Sequence, residues 1–341
     1  MNKSDYTNAN EKKKKPTIGI TIGDIAGIGP EIVIKALSDK RNFENFYPVL
    51  IGDAKALFKT AELLNLKFNA NVVGKDDVLP RNAEQPTICD LDNLNENFAF
   101  GVESGETGRA SAENIEAAVK LWRKGKIDAV ATAPISKKAI SLGGYDFPGH
   151  TEFLAALTGT KEFAMSFFAE KLRVVLLSTH VSLTDAIDLV KTENLVRLIK
   201  FSAEHFSRLL KRKPRIAVAG INPHASESGL FGDEEAREII PAIEICRNDF
   251  GIDVTGAYSP DTIFLRAFRG EFDGVIACYH DQATIAVKCL SFGASVNVTL
   301  GLPLIRTSVD HGTAFDIAGK GIADASSMNA ALNLAAELAS Y

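Results

Sequence analysis

Gly274-Val275-Ile276-Ala277-Cys278-Tyr279-His280-Asp281-Gln282 is a short apolar run that stops abruptly at Tyr-His-Asp-Gln. Apolar runs of this length, rich in Val and Ile, are expected for strands buried in a parallel sheet. In open α/β sheets, ligands bind just past the carboxyl ends of such strands. His280 and Asp281 stand at such an end. A lone histidine there reads best as a structural residue bonded to a neighbouring loop. Two further stretches repeat the form: Arg-Val-Val-Leu-Leu-Ser-Thr-His at 173–180, and Arg-Ile-Ala-Val-Ala-Gly-Ile-Asn-Pro-His at 215–224. His180, His224 and His280 are thus three of the six histidines of the chain, in equivalent places. That favours one shared site, and imidazoles at one site point to a divalent metal. None of the short zinc-ligand spacings is present, so the metal reading depends on the three strands sharing a sheet.

The rest of the chain is ordinary for a globular protein. It has 341 residues, 46% hydrophobic and 24% charged, enough for about two domains. A net charge of -5 gives no nucleic-acid surface, though a local basic pocket could still hold a small anion. Cys89, Cys246, Cys278 and Cys289 lack metal spacing and read as free thiols in a reducing compartment. No apolar run is long enough to span a bilayer, and no secretory signal is visible. Residues 1–15, which end in four lysines, read as a solvated polar tail.

In chain order, a strand at 17–22 leads into the glycine-rich turn Gly-Asp-Ile-Ala-Gly-Ile-Gly-Pro-Glu at 23–31 and then a helix. Pro30 and Glu31 suit a helix start, but this is neither a Rossmann fingerprint nor a P-loop. A ligand-binding turn and a merely tight turn fit equally. Asp53 should cap the next helix. A strand at 126–131 runs into Thr-Ala-Pro-Ile-Ser-Lys at 132–137, again polar groups at a strand end. Gly149-His150-Thr151-Glu152 opens a helix, where free backbone N–H groups make an anion site or Thr151 simply caps. A Gly/Pro turn at 301–306 leads to Arg306, and a glycine loop follows at 309–314. Alternating strands and helices argue for an α/β fold with largely parallel sheets and no linker.

These motifs, in this order, resemble the 4-hydroxythreonine-4-phosphate dehydrogenases. The resemblance rests on GDIAGIGPE (23–31), TAPISK (132–137), PGHTEFL (148–154), STHVSL (178–183), NPHASE (222–227), SPDT (259–262), YHDQ (279–282) and VNVTLGLPLIRTSVDHGTAFDIAG (296–319). It covers nearly everything after the tail. The segment 311–319 also resembles the adenine-side loop of isocitrate and isopropylmalate dehydrogenases. Ile25, where many members carry Pro, and residues 283–286, where Gly-Leu-Pro is common, depart from the pattern without removing a functional group.

The resemblance implies a two-domain, isocitrate/isopropylmalate dehydrogenase-like α/β fold with an interdomain cleft. The expected division is a nucleotide-side domain of 16–130 plus 295–341 and a metal and dimerisation domain of 131–294. It implies a cytoplasmic homodimer with a divalent metal (Zn, Mg or Co) held by His180, His224 and His280 drawn from both subunits. It implies substrate contacts at His150, Thr151, Lys288, Asn297 and Arg306, and NAD or NADP beside Gly312, Thr313 and Asp316. The absence of a basic cluster for a 2′-phosphate leans to NAD. The implied reaction oxidises 4-phosphooxy-L-threonine at C3 and decarboxylates the product to 3-amino-2-oxopropyl phosphate, a vitamin B6 step. Lys288 and Arg306 would bring fixed positive charge to a phosphate and a carboxylate. The expected catalytic residues are Lys288 and Asp281; Asp281, beside a ligand, either takes the hydroxyl proton or orients an imidazole. The rivals are oxidative decarboxylation of 4-phospho-D-erythronate or threonate on the same scaffold and, more distantly, a phosphate acyltransferase.

Overall fold

Ile and Val dominate the strands that the pattern marks most clearly, and these strands are buried on both faces. The computed structural model describes residues 15–81, 84–95, 98–291 and 293–340. The expected tail at 1–15 lies outside these, apart from Lys15. Among the described residues the strands are β1 (Thr17–Thr21), β2 (Tyr47–Gly52), β3 (Asn71–Gly74), β4 (Thr87–Asp90), β5 (Ala129–Thr132), β6 (Ala164–Ala169), β7 (Leu172–Leu176), β8 (Ile216–Ala219), β9 (Val254–Tyr258), β10 (Gly274–Ala277), β11 (Val296–Leu300) and β12 (Ile305–Ser308). The helices are α1 (Gly29–Leu37), α2 (Ala54–Leu63), α3 (Gly105–Arg123), α4 (Lys137–Leu142), α5 (His150–Thr158), α6 (Leu183–Asp188), α7 (Thr192–Leu210), α8 (Ile240–Asn248), α9 (Ile263–Phe268), α10 (His280–Leu290) and α11 (Ser326–Ala339).

All the strands join one sheet in the order β3-β4-β2-β1-β5-β12-β11-β6-β7-β10-β8-β9. Pairing is parallel except at β12/β11, β11/β6 and β6/β7. β11 and β6 therefore form an antiparallel insert, and the parallel blocks on either side of it run in opposite directions. The expected boundary between 130 and 131 falls inside β5, and the sheet is continuous across it. β10 lies between β7 and β8 and parallel to both, so the three strands leading to histidines do share a sheet. Arg306 sits within β12, not at the end of a turn as its Gly/Pro surroundings led us to expect. No strand was expected at β6, which pairs with β7 as a hairpin.

Local chemistry sets the helix ends. Asp53 accepts from the Ala56 N–H at 2.8 Å, as expected of a cap. Ser104 accepts from Thr107, which starts α3 five residues before its apolar pattern becomes clear at Ala110. α3 packs on α4 so tightly that a β-carbon on Gly108 would lie 1.8 Å from the Ala139 carbonyl oxygen. Gly27 has a similar function in the glycine-rich turn: a β-carbon there would meet the Thr313 backbone oxygen at 2.9 Å. That oxygen accepts from the Ile28 N–H, so this turn docks the 313 loop.

At the amino end of β10, Asp273 is 5% exposed. It takes a bidentate pair from Arg212 at 2.8 and 2.6 Å and accepts from the Arg215 N–H at 2.8 Å. Burial alone would raise its pKa, but Arg212 and the Arg215 N–H outweigh it and hold the carboxyl well below the usual range. A carboxyl depressed in the folded state stabilises above its unfolded pKa, near 4, and loses that contribution as pH falls through the folded value. Asp273→Asn should therefore cost about 2 kcal/mol at pH 7. Denaturant titrations of wild type and variant should converge as the pH is lowered below about 3.

Candidate active site

Three threonines and a guanidinium define the centre of the site. Arg306 is 3% exposed. Its Nε and Nη2 donate to Thr132 Oγ1 at 3.2 and 2.8 Å, and its Nη1 donates to Thr299 Oγ1 at 3.1 Å. β5 and β11 flank β12, so each threonine comes from a neighbouring strand. Thr151 Oγ1 lies 3.4 Å from Thr299 Oγ1. Among the described residues no carboxylate lies within ion-pair distance of Arg306. Burial pulls its pKa down to about 10, against an opposing pull from Glu152, so it remains charged at neutral pH. A buried cation held only by hydroxyls is costly and calls for an anion.

Arg306 opens into a cleft of about 430 Å³. The floor includes Met165 and Phe167 of β6 and Asn297 of β11, on the insert where the two strand directions meet. Successive positions two apart put these side chains on one face. One wall is α10, where His280, Thr284 and Lys288 recur every fourth residue and so line one side. The other is the start of α5. His150 is partly exposed as a residue, yet its Nε2 is sealed from solvent and has no hydrogen-bond partner. Burial, with help from Arg306, pushes its pKa well below the usual histidine value, so the ring is neutral at pH 7. Asn297 Oδ1 is likewise buried without a partner. Thr151 makes no cap to α5, which excludes the simple capping reading.

His180 also lines the cleft, with its ring centroid 5.8 Å from that of His280. His280 Nδ1 bonds Asp281 Oδ1 at 2.7 Å. A carboxylate on one imidazole nitrogen orients the ring and leaves the other nitrogen for a ligand. The Asp281 carboxylate thus stands on Nδ1 of His280 and leaves Nε2 open. His224 lies apart, with its ring near Phe231. Among the described residues of one chain, no group of three or more His, Cys, Asp or Glu could hold a metal ion. The imidazole pair fits a divalent ion in its donor chemistry, provided that further ligands come from a second copy.

His150, Thr151, His180, His280, Lys288, Asn297, Arg306 and Gly312 thus come together in one cleft. His224, Asp281, Thr313 and Asp316 are outside its lining; Thr313 packs on Gly27 and Asp316 is exposed on the following loop. Lys137, His311 and Asp310 line the cleft although no role was assigned to them from sequence. Lys137 carried a usable signal, its place just past β5. Asp310 is engaged by the Ser295 hydroxyl.

A family model described as pyridoxal phosphate biosynthetic protein PdxA matches residues 44–335. The D-threonate 4-phosphate dehydrogenase of Cupriavidus necator is 47% identical over 325 residues, which are 95% of this chain and 97% of the relative. The solved 4-hydroxythreonine-4-phosphate dehydrogenase of Burkholderia phymatum is 45% identical, with a TM-score of 0.83 over 95% of this chain and 98% of that one. Its counterpart from Klebsiella pneumoniae is 40% identical, with a TM-score of 0.86 over 95% and 99% of the two chains. These relatives are dehydrogenases, which implies a nicotinamide cofactor and removes the acyltransferase alternative. With this fold and this cleft, the chain belongs to the PdxA family and is an oxidoreductase.

Proposed function

We propose that the cleft oxidises a four-carbon, 4-phosphorylated 3-hydroxy acid at C3 and decarboxylates the resulting β-keto acid, with D-threonate 4-phosphate as the substrate. The observation that carries this reading is the buried charge of Arg306, without a carboxylate partner and in the same cleft as the His180–His280 pair. A phosphate or carboxylate on Arg306 offsets its desolvation. Lys137 and Lys288 offer positive charge for the second anionic group. His150 Nε2 and Asn297 Oδ1 are unpaired atoms that substrate polar groups can satisfy.

When bound, a divalent ion supplies Lewis acidity for the hydroxyl and the new ketone, and the nicotinamide accepts the hydride. The chain's own part is to bind and orient. Asp281 keeps His280 turned for a ligand. The neutral His150 makes a hydrogen bond without adding charge. Gly312 borders the cleft with open space at its α-carbon, which fits close approach of the cofactor, and exposed Asp316 fits a ribose hydroxyl and hence NAD.

The closest rival substrate is 4-phosphooxy-L-threonine, with an ammonium in place of the C2 hydroxyl. The hydroxy acid is favoured by the name of the Cupriavidus necator relative, which is 47% identical to this chain. The metal reading requires a homodimer. Val181, Leu183, Ile187 and Leu189 after His180, and Leu230 and Phe231 after His224, are exposed apolar residues that a second copy could cover. No helix among the described residues is long and apolar enough to cross a membrane, and the four cysteines are free. Both fit a cytoplasmic enzyme.

The direct experiment is NAD+ reduction by purified protein with D-threonate 4-phosphate beside 4-phosphooxy-L-threonine. The expected outcome is turnover of the first, with one CO2 per NADH. Turnover of the second alone transfers the enzyme to the amino-acid substrate, and no turnover of either defeats the reading. Chelation should abolish activity, and added Co2+, Mg2+ or Zn2+ should restore it. Arg306→Ala should raise the substrate KM about 10- to 100-fold and leave the NAD+ KM within about twofold. Equal loss for both ligands would indicate a folding defect.

A further inference from the structure

Residues 224–228, which begin with His224, all have positive φ: 53°, 51°, 65°, 43° and 58°. None is glycine, and L-residues adopt this left-handed region singly rather than in runs. Such a run persists only where its surroundings over-determine it. Two buried side chains hold the segment that leads into it, Gly220 to Asn222. Glu235 is 1% exposed. Its Oε1 accepts from the backbone N–H groups of Ile221 and Asn222, both at 2.8 Å, and its Oε2 accepts from Asn222 Nδ2 at 2.9 Å. Glu235 begins a π-helical turn, Glu235–Ile239, which presents it to the loop from across the chain. Gly220 leaves room for it, since a β-carbon there would lie 3.0 Å from Glu235 Oε1 and 2.9 Å from Ala225.

Gln282 is the second anchor, buried two residues beyond His280. Its Oε1 accepts from the Cys278 N–H at 2.7 Å, and its Nε2 donates to the Gly220 carbonyl at 2.8 Å. One amide thus fastens the start of α10, which carries His280, to the beginning of the loop that carries His224. Neither Glu235 nor Gln282 lines the cleft.

We propose that Glu235 and Gln282 are positioning residues that hold the His224 turn and the His280 helix start in fixed relation, so that divalent-metal affinity depends on two side chains that never touch the ion. The proposal rests on the metal reading of His180, His224 and His280 given above. Their action is to fix where two imidazoles point before a second copy of the chain meets them. Removing either anchor lets the left-handed turn relax to ordinary backbone geometry and carries His224 away.

The test is calorimetric titration of Co2+ into metal-stripped full-length protein, with unfolding temperature and oligomeric state recorded for each variant. Glu235→Gln keeps the shape of the side chain but turns a donor toward the Asn222 amide. It should weaken Co2+ binding about 10- to 100-fold while the protein remains folded. Gln282→Met, which cannot bond Cys278 or Gly220, should do the same and provides the second reading should Glu235→Gln not fold. Asp273→Asn removes a buried carboxylate at the opposite end of β10; it should lower the unfolding temperature and leave Co2+ affinity within about twofold. Wild-type affinity in folded Glu235→Gln or Gln282→Met overturns the proposal, and so does an equal loss in Asp273→Asn. His224→Ala separates the two levels. If it loses Co2+ binding while the anchor variants keep it, the metal reading stands and the positioning role falls. If wild type binds no Co2+, both fall.

Discussion

The parallel pairing of β10 with β7 on one side and β8 on the other is the constraint on which the site depends. Three strands side by side and in one direction must deliver their following loops to one edge. His180, His224 and His280 reach that edge because each follows one of these strands within a few residues. The pairing is secured at both ends. At the amino end Asp273 binds Arg212 and Arg215, and at the carboxyl end Gln282 bridges Cys278 and Gly220. Gln282 is buried, as are the Cys278 N–H and the Gly220 carbonyl that it bonds, so those bonds act with little competition from water.

The cleft owes its charge to the other half of the sheet. β12 runs parallel to β5 and antiparallel to β11, which places threonines from both neighbours against Arg306. Hydroxyls satisfy the donors of the guanidinium without neutralising it. The charge thus remains available to a ligand, and the energy spent on burying it is recovered when an anion binds. The antiparallel insert joins this arginine-bearing half to the histidine-bearing half, and the cleft lies where the two meet.

The sequence made some of this legible and hid the rest for physical reasons. β8 and β10 read directly because burial on both faces demands unbroken apolar runs, and β1, β5 and β7 read from their Ile and Val content. β12, Ile-Arg-Thr-Ser, did not read as a strand because it carries the site: Arg306 and Ser308 face the cleft, and Thr307 bonds the Ala331 carbonyl in the core. β6 was hidden by Met165 and Ser166, the first facing the cleft and the second bonded to the Val298 carbonyl. Most of the cleft residues were named from family resemblance, and the strand-end pattern picked out the histidines independently. Thr132 and Thr299 could not be found as partners of Arg306, because their proximity exists only in the register of three strands. Nothing in Pro-His-Ala-Ser-Glu signals a left-handed turn, and the carboxylate that holds Ile221 and Asn222 ahead of it, Glu235, comes from later in the chain.

The central claim is that His180 and His280 of one copy work with His224 of another. Heterodimers of one His224→Ala chain and one His280→Ala chain test it most directly, because each variant should be inactive alone. If the site is shared between copies, one of the two sites in the heterodimer keeps all three histidines. The heterodimer should then recover about half of the wild-type turnover and bind one metal ion in place of two. If all three histidines serve within a single chain, both sites are broken, and a heterodimer as inactive as its parents would contradict the account.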